Sequence, residues 1–182
     1  MEGFTRLSSV LYDSEYAGGQ NIDFFCHPNG ACFQNNNEVK FLCDTNLHQC
    51  QMSSYPKKFE VAGIGVFLDR KISDEDFDAL TINSYMEFCM RGNSPYMRQP
   101  LSIFPNLTRK REQNDNKTIL SEVDLSLRDN RSIVPLISLD KNPIVINHGE
   151  SFYARINWPV APKFEKSFKI IVVVDGFVYL PR

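Results

Sequence analysis

The chain has 182 residues, and its 20 basic side chains nearly cancel 22 acidic ones. That balance excludes a dedicated nucleic-acid binder, which carries a strong basic excess. The length suits one large domain with a core that needs no covalent staples, and 14 Phe, 7 Tyr and one Trp suit pleated, half-buried surfaces.

Met1 to Tyr16 contains Glu2, Arg6, Asp13 and Glu15 and no long apolar run, so synthesis in a cytoplasm is expected. Ile22–Cys26 and Ala31–Phe33 predict short strands around the turn His27-Pro28-Asn29-Gly30. Val39–Cys43 and Leu47–Met52 extend this into a meander of small hairpins. Residues 1–57 therefore read as an N-terminal elaboration, either a separate knob or part of the same domain, and 58–182 as the main sandwich.

Phe59–Leu68 predicts a long apolar strand in which Gly63 and Gly65 permit a bulge or close backbone approach. One short helix is expected near 74–80. Ser73 can cap it, acidic residues at 74, 75, 76 and 78 suit its positive end, and Ile72 can staple onto Phe77. Ile82–Arg91 resumes as a strand, and 105–117 reads as a polar loop. Leu120, Val123, Leu125 and Leu127 mark another strand, which Ile133–Leu139 can pair. Ile144–Ile146, Ser151–Trp158 and Phe168–Val174 follow, and Asp175-Gly176 predicts a hairpin into Phe177–Leu180. Many short strands with one helix predict an all-β sandwich.

Cys26, Cys32, Cys43 and Cys50 lie close together beside His27 and His48. Zinc would use such ligands, but the Cys-x5-Cys and Cys-x6-Cys spacings are wider than zinc knuckles, and disulfides suit an oxidising compartment. Buried free thiols are the expectation here, for Cys89 as well. His148-Gly149-Glu150-Ser151 lacks the strand-elbow-helix context of a hydrolase nucleophile, and the histidines are expected to be solvated turn residues. Arg109-Lys110-Arg111 supplies too little charge for a nucleic-acid site. The three sequons at Asn106, Asn116 and Asn130 read as chance matches. No cofactor and no catalytic residue are expected.

Phe168–Val174 is apolar on both faces apart from Lys169, so one face can fill the core while the other needs a cover. A loop, the N-terminal meander or another subunit could provide it.

The segment from Gly149-Glu150-Ser151-Phe152-Tyr153-Ala154-Arg155-Ile156-Asn157-Trp158-Pro159 through Ile170–Val174 to Asp175-Gly176-Phe177-Val178-Tyr179-Leu180-Pro181-Arg182 resembles the closing strands of viral jelly-roll virion proteins. It is similar to penton and minor capsid proteins of icosahedral, membrane-containing bacteriophages. The resemblance covers under a quarter of the chain. It implies an eight-stranded jelly roll located in a virion, forming a vertex homo-oligomer, a pentamer, that also contacts the major capsid protein, with a host receptor or a spike protein as further candidate partners. Interface residues are then expected at Trp158, Pro159, Phe168, Ile170, Val172, Val173 and Val174. The alternative is a carbohydrate- or receptor-binding sandwich that stacks Tyr55, Tyr96 or Trp158 on sugar rings.

Overall fold

Alternation of apolar and polar side chains gives each long strand one face to bury, and two sheets meet over those faces. The structure, a computed structural model, describes residues 4–48, 58–90, 95–108, 136–139 and 143–181. Its strands are β1 (Phe4–Tyr16), β2 (Asn21–Phe24), β3 (Lys58–Leu68), β4 (Tyr85–Met90), β5 (Met97–Pro100), β6 (Ile137–Ser138), β7 (Ile144–Asn147), β8 (Phe152–Asn157) and β9 (Lys169–Pro181). One sheet runs β1-β9-β3, with β6 and β7 both pairing β3; the other runs β2-β8-β4-β5.

Counting β6 and β7 as one position, β1 pairs with β9, β2 with β8, β3 with β6/β7 and β4 with β5. That nesting is what results when one long antiparallel ribbon folds over on itself, the order of a jelly roll. The all-β sandwich read from the sequence is the fold of the chain. Because β1 and β2 are strands of the two sheets, the sandwich draws on both sides of residue 57.

The core is shared evenly between the sheets. Phe59, Val61, Ile64, Val66, Ile170, Val172 and Val174 face Ile22, Phe24, Met86, Phe88, Phe152 and Ile156, all essentially inaccessible. Phe152 lies 6.0 Å from Phe88 and 5.3 Å from Phe25 between ring centroids, contacts worth about 0.5–1.5 kcal/mol each beyond area burial.

Helix α1 (Asp74–Thr81) forms where the sequence predicts it, with Ser73 Oγ accepting the Asp76 N–H. Leu80 packs into the core. Asp76 is buried because its Oδ1 accepts the Glu165 N–H at 2.7 Å, and Trp158 Nε1 donates to the Leu80 carbonyl at 3.1 Å. A carbonyl at the end of a helix has no partner within the helix, so the tryptophan supplies one.

Two expectations are corrected. The predicted hairpin at Asp175-Gly176 is absent: both residues lie inside the continuous strand β9, paired with β1 on one side and β3 on the other. Gly176 is needed there because a Cβ would stand 2.2 Å from the Glu60 carbonyl oxygen, beside a bulge in β3 between Val61 and Gly63. The N-terminal meander is also replaced. Residues 4–16 form one long strand, and Ala31–Phe33 and Val39 make only an irregular hairpin joined by a bridge between Cys32 and Val39. The strand expected near 120–127, Arg109-Lys110-Arg111, most of the 105–117 loop, and Gln49–Met52 lie outside the described residues.

Candidate functional site

The site begins with a conflict in β1. Leu11, Asp13 and Glu15 share one face of the strand, directly opposite Val174, Val172 and Ile170 of β9. Residues opposite each other across a ladder lie on the same side of the sheet, so two carboxylates point toward the core. Both side chains are fully buried. A buried charge persists only with a partner.

Lys40 is that partner. Its Nζ lies 2.7 Å from Asp13 Oδ1 and 2.6 Å from Glu15 Oε1, and its side chain is also fully buried. The hairpin fixes its backbone, with Lys40 N–H donating to Ala31 O at 2.8 Å and Lys40 O accepting from Gly30 N–H at 3.0 Å. The remaining oxygens are held too. Asp13 Oδ2 accepts the Phe25 N–H at 2.6 Å, Glu15 Oε2 accepts the Gln34 N–H at 2.7 Å, and His27 Nδ1 lies 2.9 Å from Glu15 Oε1. Burial pushes Asp13 up to about 6, against the downward pull of the Lys40 ammonium and the Phe25 N–H. Phe25 adopts φ 67°, a left-handed conformation that a bulky residue seldom takes. The fold holds it there with its N–H aimed at the Asp13 carboxyl.

Around this cluster, residues 25–48 close the outer edge of β1. Thr45 bridges Asp13, and Asn46 acts like a short piece of strand: its N–H donates to Tyr12 O, its Oδ1 accepts Tyr12 N–H, and its Nδ2 donates to Val10 O. On the opposite side of β1, Asp44 accepts Lys169 Nζ at 2.7 Å and Ser14 Oγ donates to Asp44 O at 3.0 Å. Burial raises the Asp44 pKa, but the Lys169 and Phe41 N–H hydrogen bonds outweigh it and hold the carboxyl below its ordinary value. The clamped loop leaves Val39, Phe41 and Leu42 exposed, Phe41 at 64%. Beside them is a recess of about 410 Å³, lined in part by Phe33, Asp44 and Lys169.

The second sheet presents a different outer face. Asp23, Arg155, Glu87 and Arg98 occupy successive strands in register, so charge alternates across the sheet. Arg155 grips Asp23 with two nitrogens and Arg98 pairs with Glu87. Tyr153 and Tyr85 lie beneath the two guanidinium groups, at 5.3 and 5.2 Å.

The residues singled out from sequence are dispersed. Phe168, Ile170, Val172, Val174 and Trp158 fill the chain's own core, so their side chains are not available to a partner. Val173 is half-buried on the outer face and Pro159 is exposed, next to Val160 at 80% exposure. Tyr96 is exposed beside a recess of about 630 Å³ that Arg98 and Gln99 help to line, and Tyr55 lies outside the described residues.

Cys32 and Cys43 are exposed free thiols rather than buried ones, Cys26 is intermediate and Cys89 is buried; Cys50 lies outside the described residues. Among the described residues no three His, Cys, Asp or Glu side chains gather as a metal site. His27 is a correction, since it leans on buried Glu15 instead of standing in solvent. Lys40 was missed from sequence because a lone lysine in a short predicted strand looks like any surface lysine. A signal was present in Asp13 and Glu15, two acids at alternate positions after Leu11.

No family model, no curated protein and no solved structure matches the chain. Among the described residues no helix is long and apolar enough to cross a membrane.

Proposed function

We propose that the chain is a structural subunit that assembles through its jelly roll. The specific reading is a vertex (penton) or minor capsid protein of an icosahedral, membrane-containing bacteriophage, placed in the virion beside the major capsid protein. The observation that carries this reading is the nested strand order, the architecture implied by the resemblance of the closing strands. A ring of identical subunits joins two different patches of the same chain. Exposed apolar side chains suit that geometry. Val39, Phe41 and Leu42 lie together on the clamped loop, and Ile82 after α1 and Val160 after Trp158 are each exposed elsewhere on the surface. The proposed interface therefore moves off the β9 side chains and keeps the Pro159 corner.

Native mass spectrometry of the full chain, alone and carrying Phe41→Glu with Leu42→Glu, tests the proposal. A pentamer that the double substitution dissociates supports it. A monomer at every concentration, unchanged by the substitution, overturns the ring. One observation favours a glycan-binding alternative: Tyr96 stands exposed beside a recess edged by Arg98 and Gln99. Glycan-array binding that Tyr96→Ala abolishes would support that alternative.

A further inference from the structure

We propose that Lys40 and Asp13 condense to an intramolecular isopeptide bond, with Glu15 as the proton-transferring catalytic residue. The inference stands on the buried cluster alone and is independent of any assembly role. Three features carry it. The Lys40 amine touches both the carboxyl it would attack and a second carboxylate that can accept its proton, at 2.7 and 2.6 Å. All three side chains are out of water. The far oxygen of Asp13 already accepts a backbone N–H from Phe25, held in place by an unusual conformation.

The chemistry balances without an added reactant. Lys40 begins as the ammonium and Asp13 as the carboxylate. Glu15 Oε1 takes a proton from Nζ, and the free amine attacks Asp13 Cγ to form the C–N bond. Negative charge develops on Oδ2, where the Phe25 N–H stabilises it as an oxyanion-hole donor does. Glu15 returns the proton to Oδ1, a second amine proton follows by the same route, and the Cγ–Oδ1 bond breaks to release water. Of the three ammonium protons, two leave in that water and one stays on the amide. Glu15 ends as it began.

Position and dryness drive the reaction forward. Groups held in contact behave as though present at about 10⁵–10⁸ M, which offsets the unfavourable condensation seen in water. Condensation replaces the Lys40–Asp13 ion pair, costly to desolvate, with a neutral amide whose carbonyl accepts from Phe25, and Glu15 keeps the Gln34 N–H, His27 Nδ1 and the new amide N–H as partners. The bond would tie β1 to a residue 27 positions away and lock the hairpin over the edge of the sheet.

Intact-mass measurement of the purified full chain is the test. The expected result is a mass lower by one water, about 18 Da, than the sequence requires. Digestion after glutamate should then yield a branched species joining residues 3–15 to 39–60, although the chain is cut between them. Trypsin should fail to cleave after Lys40. Lys40→Arg, Asp13→Ala and Glu15→Gln should each restore the full mass, and the wild-type mass reads the bond whether or not a variant folds. An unmodified wild-type mass after prolonged incubation of the folded chain overturns the proposal. So does a water loss that maps to a succinimide at an aspartate, whether Asp175-Gly176 or Asp13-Ser14, with residues 3–15 and 39–60 left unlinked.

Discussion

Val172 and Val173 are adjacent on β9, yet replacing each with Glu should give opposite outcomes. Val172 is fully buried between the sheets, opposite Asp13 on β1 and Val66 on β3. A carboxyl there must stay neutral. Lifting its pKa from about 4.3 to 7 costs roughly 3.5–4 kcal/mol at neutral pH, and the lost valine burial adds about 1.5–3 kcal/mol. The total of about 5–7 kcal/mol rivals the whole stability of an ordinary domain, about 5–15 kcal/mol.

Val173 instead looks outward, opposite Tyr12 and Gly65, where Glu can reach solvent at a cost of about 1 kcal/mol or less. Urea unfolding followed by the fluorescence of buried Trp158 measures both. Val172→Glu should be largely unfolded without denaturant, while Val173→Glu should keep a cooperative transition near the wild-type midpoint. Equal midpoints, or a larger loss at Val173, would refute the assignment of faces on β9.

Gly176→Ala should cost about 2–4 kcal/mol, because the new methyl meets backbone oxygen at 2.2 Å, whereas Gly149→Ala meets open space and should cost about 1 kcal/mol from its φ of +72° alone; thermal unfolding of the pair checks the contrast. Trp158→Phe keeps the ring burial but leaves the Leu80 carbonyl without its donor, a loss of about 1–3 kcal/mol measurable by the same assay. Asp44, whose carboxyl is held below the ordinary value of 3.8, binds fewer protons folded than unfolded. It therefore contributes stability at neutral pH that disappears as pH falls below about 4 through the depressed pKa. In Lys169→Met, an NMR titration should show the Asp44 pKa moving upward, and an unchanged value would mean that the ion pair is not formed in solution.

Elements whose signals are local were legible in the sequence. Ser73 and the acids behind it located α1, and the apolar runs located β3, β8 and the inner face of β9. The errors arose where long-range contact overrides a local signal. Asp-Gly is a strong turn signal, but pairing along both edges of β9 and the close approach of Glu60 fixed it as extended chain. β1 was hidden because two of its inward positions are acids, which disguises the alternation of a strand. Those same acids are the core of the candidate site, so what obscured the strand also marked its chemistry. Lys40 could not be matched to them from sequence, because only the pairing of β1 and the turn at Phe25 bring the three together. Of the two apolar faces of β9, the one bearing Ile170, Val172 and Val174 fills the core, as expected of one face, while Ile171 and Val173 on the other stand half-buried.

The pairing of β1 with β9, from Phe4 opposite Pro181 to Tyr16 opposite Lys169, also has a temporal consequence. Among the described strands, the first to leave the ribosome must wait for the last. At about 5–20 residues per second, roughly 10–35 s separate them. During that interval β1 has neither its neighbour nor, until residue 40 has emerged, a counterion for Asp13 and Glu15. A lone strand carrying two acids is soluble and resists pairing with other nascent chains. The charges that complicate the finished core therefore protect its earliest strand while the rest is being made.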